Sequence, residues 1–185
     1  MEKHKEVEME KHKKVKEMMV DISEFPHIPY WFTIKKVIQI IKATLPKGDK
    51  SFHPIGILVF DEQYNLLGTL SLRDILKGLE PKFLKPITEA QVYEGEETEL
   101  ALIWDTLFDR EFRDLAEHPV REFMNSVEFF VNPDDPVTKA AYLMIHHELI
   151  FLPVIERRRK LVGVVRMVDV FDELSNVVLN TTLKD

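Results

Sequence analysis

One pattern is written twice in this chain. "GTLSLRD" at residues 68–74 and "GVVRMVD" at residues 163–169 each run from a Gly through small and apolar residues to an Asp, and Asp74 and Asp169 lie 95 residues apart. The same spacing aligns "GILVFDEQYNLLGTL" (56–70) with "FLPVIERRRKLVGVV" (151–165). Each copy reads apolar strand, polar turn, apolar strand, which predicts an antiparallel hairpin turning at "DEQYN" and at "ERRRK". Further upstream, "VKEMM" (15–19) resembles "VREFM" (120–124), now 105 residues apart. The first copy is therefore the longer one, and "LPKGDKSFH" (45–53), rich in Gly, Pro and charge, reads as the loop that holds the excess. A repeat of this kind constrains the architecture more than any single residue.

Each copy also carries a helix between its V-(K/R)-E-x-M box and its hairpin. In the second copy, "NPDDPVTKAAYLMIHHEL" places Asp135 as a cap and Pro136 at the first helical position, with Val137, Ala140, Ala141 and Met144 on one apolar face. In the first copy, Ile34, Val37, Ile38 and Ile41 form the equivalent face behind Thr33 as cap. After each final Asp a second helix follows, "DILKGL" and "DVFDELSNVV". The unit is thus strand, helix, strand, strand, helix. Hydrophobic strands flanked by apolar-faced helices imply a small sheet covered on one face. A unit of about 60 residues is marginal alone, so the two are expected to pack sheet to sheet as one pseudo-symmetric α+β module.

Composition narrows the chemistry. The chain has 185 residues, 45% of them hydrophobic, enough for a real core. It has no cysteine, which excludes disulfides, thiolate metal sites and a Cys nucleophile, and fits a reducing compartment. The longest apolar runs fall far short of the roughly 20 residues a membrane span needs. The N-terminal "MEKHKEVEMEKHKKVKEMM" has no apolar signal core, so a cytoplasmic location is expected. A net charge of −7 argues against nucleic-acid binding through a broad basic surface.

With these boxes in place, the chain resembles a pair of CBS (cystathionine-β-synthase-type) domains, the arrangement called a Bateman module. The second copy carries the likeness almost throughout residues 120–174: the V-R-x-x-M box, the "VNPDDPV" helix start, the "LPV" strand and the "GVVRMVD" exit. The first copy matches at "VKEMM" and at "GILVFDEQYNLLGTLSLRDIL" (56–76), and departs at "SEFPHIPYWFTIKKV", which lacks the acidic helix start. The expected organisation is a charged N-terminal segment (1–14), repeat one (15–79), a linker (80–119), repeat two (120–178) and a short tail (179–185). Leu102, Ile103, Leu107 and Leu115 have helical spacing, so a linker helix is expected over 98–118.

The resemblance also implies a ligand. CBS pairs often bind adenosine-bearing molecules in clefts between their repeats, through a motif ending in Ser/Thr-x-x-Asp. Carried onto this sequence, Asp74 and Asp169 would accept hydrogen bonds from ribose hydroxyls, and Ser71 would serve phosphate. The adenine slots would lie near Ile28 and Pro29 in the first copy and near Val131 and Asn132 in the second. The second copy has Arg166 where the motif has Ser or Thr. Arg166 can bind phosphate with both arms of its guanidinium, or it can form an ion pair and close the site. A purely structural reading stands beside this one: Ser71-x-x-Asp74 is also a helix capping box, and Gly68 and Gly163 can simply permit close backbone approach.

No nucleophile, base and orienting residue appear together, and there is no Walker A or GxGxxG. The expectation is a non-enzymatic regulatory module for AMP, ADP, ATP or S-adenosylmethionine, requiring no cofactor. The resemblance further implies a homodimer, with an effector protein as a second partner and neither nucleic acid nor membrane. The alternative is a ligand-free dimerisation or partner-interaction module. His146, His147 and Glu148 are adjacent and point to different faces, so no metal site is expected. "RRRK" (157–160) reads as a solvated hairpin tip, and Tyr30, Trp31 and Phe32 as core aromatics beside a helix start.

Overall fold

The computed structural model describes residues 13–44, 56–80, 111–157 and 160–181. Its elements in chain order are β1 (Val20–Asp21), β2 (His27–Pro29), α1 (Ile34–Thr44), β3 (Gly56–Phe60), β4 (Leu66–Ser71), α2 (Leu72–Leu79), α3 (Glu111–Ala116), β5 (Asn125–Ser126), α4 (Val137–His146), β6 (Phe151–Glu156), β7 (Lys160–Arg166) and α5 (Met167–Thr181). Short 3-10 turns at Val15–Glu17, Ile22–Glu24 and Val120–Glu122 join them. The chain divides into two compact units. One is continuous, Pro26–Val127; the other is split, Met1–Phe25 with Glu128–Asp185.

In the continuous unit, β2, α1, β3, β4 and α2 follow in the expected order. The Oγ1 of Thr33 accepts from the Lys36 N–H at 3.3 Å, capping α1 as its sequence predicts. Ile34, Val37 and Ile41 are buried and Ile38 packs beside them, one stripe at helical spacing against Ile57, Val59 and Leu70 of the sheet. β3 and β4 pair antiparallel, from Gly56 opposite Ser71 to Phe60 opposite Leu66. Asp61 closes their turn by accepting from the N–H groups of Gln63 (2.9 Å) and Asn65 (2.8 Å). The Asn65 side-chain amide adds a third bond, and these bonds, that of the Asn65 side chain foremost, hold the Asp61 carboxyl below its ordinary range. β2 runs parallel to β3, giving the sheet order β2-β3-β4-β5.

The split unit repeats this plan. Val131 takes the place of β2 as a single parallel bridge to Val154. Val137, Ala140 and Met144 of α4 are buried, and Ala141 packs against the same core. That core is completed by Leu152, Val154, Val165 and Val170. The sheet order is β1-β7-β6. One expectation needs correcting. Asp135 does not cap α4, whose N-cap is Pro136 without a side-chain bond. The Asp135 carboxylate instead turns back to the Asn132 N–H at 2.8 Å and meets Lys139 Nζ at 2.7 Å. A short acidic side chain after Asn-Pro closes its own turn more readily than it reaches the helix.

The repeats exchange their first segments. "VREFM" of the second repeat belongs to the continuous unit, where Val120 is buried in the core and β5 pairs with β4, Gly68 opposite Ser126. "VKEMM" of the first repeat belongs to the split unit, where Val15 is fully buried and β1 pairs with β7, Asp21 opposite Gly163. The compact units are therefore not the consecutive stretches 15–79 and 120–178: each hairpin takes its outer strand from the other repeat. Gly68 and Gly163 are where the borrowed strands lie closest. A Cβ on Gly68 would stand 2.6 Å from the Asn125 carbonyl oxygen and 2.8 Å from Met124 Sδ. A Cβ on Gly163 would stand 2.5 Å from the Val20 carbonyl oxygen and 3.4 Å from Met19 Sδ.

Two boundaries shift as well. Lys13 and Lys14, assigned by sequence to the N-terminal segment, are already fixed in the split unit: the Lys13 carbonyl accepts from the Val137 N–H and Lys14 bridges Pro136. At the other end α5 continues to Thr181 instead of stopping at 178. Of the expected linker helix, Glu111–Ala116 is helical, and Phe112, Leu115 and Ala116 pack on the continuous unit's core. Residues 1–12, the 45–53 loop, the 98–110 part of the linker, and Arg158 and Arg159 of the basic turn lie outside the described residues.

Candidate functional sites at the two strand-to-helix exits

In each unit the last strand of the hairpin passes directly into a helix, and the candidate residues stand at that junction. Ser71 ends β4 in an extended conformation and is the N-cap of α2. Its Oγ accepts from the Asp74 N–H at 3.2 Å and donates to Asp74 Oδ2 at 2.6 Å. Its own N–H donates to the same Oδ2 at 2.7 Å. Both Ser71 bonds thus fall on Oδ2, and no bond to Oδ1 is recorded among the described residues. The carboxylate is half-buried, held at a fixed angle, with one oxygen committed. The capping box read from sequence is present in full. Ser71 therefore positions Asp74, and its hydroxyl proton is already engaged before any phosphate is considered. Ser71→Ala is expected to destabilise the protein by about 1 kcal/mol, the usual worth of an N-cap. The shift of the urea midpoint at unchanged m-value measures it.

The second exit differs at one residue. Arg166 ends β7, and its side chain folds onto Asp169 in the first turn of α5. Nε donates to Oδ2 at 2.7 Å and Nη2 to Oδ1 at 2.6 Å. This is a two-armed ion pair that engages both carboxylate oxygens. The bond to Asp169 raises the Arg166 pKa further above its ordinary value, against the opposing effect of burial, so the guanidinium stays charged. Of the two alternatives the sequence left for Arg166, the structure shows the ion pair within its own helix turn. The three-residue spacing across the strand-to-helix junction, from the last residue of β7 to the first turn of α5, carries that signal in the sequence.

The residues expected around adenine are mainly structural in their side chains. Ile28 is 6% exposed and belongs to the core; Pro29 is half-buried. The Pro26 carbonyl accepts from Leu58 N–H and the Tyr30 N–H donates to the Phe60 carbonyl. By strand alternation, Ile28 turns its backbone groups toward β3, while Pro29 has no N–H and its carbonyl accepts from the Phe32 N–H at 3.2 Å. Val131 is fully buried and spends its N–H on Pro153 and its carbonyl on Ile155. Asn132 spends its N–H on Asp135. Ile28, Pro29, Ser71 and Asp74 all belong to the continuous unit, and Val131, Asn132, Arg166 and Asp169 to the split unit. Each unit therefore holds one complete set.

Other candidates resolve into surface features. Tyr30 and Phe32 pack against the continuous unit's core as expected, but Trp31 between them is 48% exposed and meets only the edge of Tyr30. His147 stacks on Phe129, and His146 meets Tyr142 at a tilt. Among the described residues no three His, Asp or Glu side chains gather in a way that would hold a metal ion. No described helix is long and apolar enough to cross a membrane.

Residues 120–176 match the family model described as "CBS domain". The structure resembles that of CBSX2, solved in complex with AMP, at a TM-score of 0.57 and 17% identity, covering 89% of this chain and 98% of that one. The chain folds as a tandem CBS pair. The chain also resembles the cytosolic domain of the Mg2+ channel MgtE, solved in complex with ATP, at a TM-score of 0.53 and 21% identity over 87% of this chain and 49% of that one. Among curated sequences, it is 24% identical over 151 residues to the magnesium transporter MgtE of Thermus thermophilus, covering 82% of this chain. The chain spans a quarter of that transporter's length.

Proposed function

We propose that this CBS pair is a non-catalytic regulatory module that binds an adenosine-containing nucleotide, with the principal site at Ser71 and Asp74. The observation that carries the reading is the Asp74 carboxylate, fixed through Oδ2 by Ser71 and presenting Oδ1 to accept from a ribose diol. A vicinal diol offers two O–H donors, and an ionised carboxylate accepts both in charge-assisted bonds. The base would lie beside Ile28 and Pro29 of β2, at the edge of the sheet. The AMP and ATP bound to the two similar structures support this ligand class. Ligand binding would regulate by stabilising one arrangement of the chain over another, which requires a difference in affinity between the two. The module would act as a homodimer in the cytoplasm, with an effector protein as the recipient of the signal.

Isothermal titration with AMP, ADP, ATP and S-adenosylmethionine tests the reading. Heat with saturation below millimolar concentration for at least one of them is the expected result. No heat and no thermal shift with any of the four removes the ligand and favours a dimerisation module without one.

A further inference from the structure

The two exits differ in which ligands they admit, an inference that rests on the proposed nucleotide reading. In the continuous unit, Ser71 engages only Oδ2 of Asp74. In the split unit, Arg166 engages both oxygens of Asp169. A ribose diol presented to Asp169 must displace a guanidinium bound by two charge-assisted bonds and leave it without a partner. A nucleoside has nothing to offer the displaced cation. A phosphate does: it carries more negative charge than a carboxylate and accepts the same two-armed bond.

We propose that the Arg166–Asp169 pair makes the split unit's site selective for phosphate-bearing nucleotides and closed to nucleosides. The phosphate takes Arg166, and the released Asp169 takes the ribose. Arg166 is suited to this exchange. Its side chain retains 35% exposure, and two of its five N–H donors serve Asp169, which leaves three for an incoming anion. Asp169 is less exposed, at 19%. Among the described residues no such two-armed cation is paired with Asp74, whose partner Ser71 carries no charge. One chain would then hold a site that answers to the adenosine moiety and another that answers only when phosphate is attached.

Titration calorimetry with adenosine and with ATP separates the cases. The wild-type chain is expected to bind one adenosine and two ATP. Arg166→Ser, which copies the arrangement at Ser71, is expected to bind two adenosine, with ATP at the split unit weakened about tenfold by loss of a charge-assisted contact. Arg166→Gln, which removes the charge but keeps the side chain's bulk, stands in if the Ser variant does not melt cooperatively. Two adenosine sites in the wild-type chain, or a single ATP site unchanged by Arg166→Ser, would overturn the selectivity while leaving nucleotide binding intact. Failure of both ligands to bind the wild-type chain and the Arg166 variants overturns the nucleotide reading and the selectivity together.

Discussion

Asp74→Ala is expected to abolish adenosine binding and to reduce ATP from two sites to one. The expected loss is large because a carboxylate that receives two diol hydroxyls contributes two charge-assisted bonds, each worth roughly 1.5–3 kcal/mol. Even one such bond corresponds to tenfold or more in Kd. Asp169→Ala, by contrast, is expected to leave adenosine binding unchanged, since Arg166 already occupies that carboxylate. The comparison needs a control, because Asp74 is also the acidic partner in the α2 capping box. Ser71→Ala supplies it. That variant loses the cap and keeps Asp74, so its adenosine affinity should fall far less than that of Asp74→Ala at comparable thermal stability. Equal losses in Asp74→Ala and Asp169→Ala would contradict the assignment of the principal site to the continuous unit.

The largest stability effect is expected from a single methyl group at Gly163. Alanine ordinarily suits a strand better than glycine, so a strand glycine kept for no reason gains from the change. At Gly163 the added Cβ would lie 2.5 Å from the carbonyl oxygen of Val20. The obstacle is backbone, fixed by the β1–β7 pairing of Val20 with Val164 and Asp21 with Gly163. Relief requires β1 to leave the sheet, drawing buried Val15 with it. Gly163→Ala is therefore expected to cost about 2–3 kcal/mol, as overpacking a closed site does. For a chain of this size that lowers Tm by roughly 5–10 °C. Calorimetric melting decides: a Gly163→Ala protein as stable as wild type would show that β1 does not close on β7.

Much of this architecture was legible because its signals are local. The hairpins announce themselves by two apolar runs around a polar turn, and the helices by faces such as Ile34, Val37 and Ile41 or Val137, Ala140 and Met144. The exchange of the two boxes was not legible. "VKEMM" and "VREFM" are so alike that either could complete either hairpin, and proximity along the chain favours the wrong one. Only the three-dimensional pairing distinguishes them, through contacts such as Met124 over Gly68 and Met19 near Gly163. Asp135 was misread for a different reason: two local hydrogen-bonding choices compete after Asn-Pro, and composition does not rank them. At the candidate sites, the residues at the helix starts were visible as motifs, but the role of Ser71 was not. Its hydroxyl and its N–H both serve Asp74, which makes it a positioning residue. Arg166 had two chemically sound partners, and the geometry of the β7–α5 junction places Asp169 within reach of both its arms.

The borrowed strands also impose an order of assembly during synthesis. Every described part of the continuous unit lies between Pro26 and Val127, so its sheet can close once Ser126 has left the ribosome. The split unit cannot. Val20 must wait for Val164, and at about 5–20 residues per second that wait lasts on the order of ten seconds. From the emergence of Ser126 until Val164 follows, Asp74 stands in a finished unit, and Asp169 is still to be made. A nucleotide present in the surrounding solution would meet the nascent chain first at Asp74. It would stabilise the continuous unit by mass action while the N-terminal strand is still unpaired.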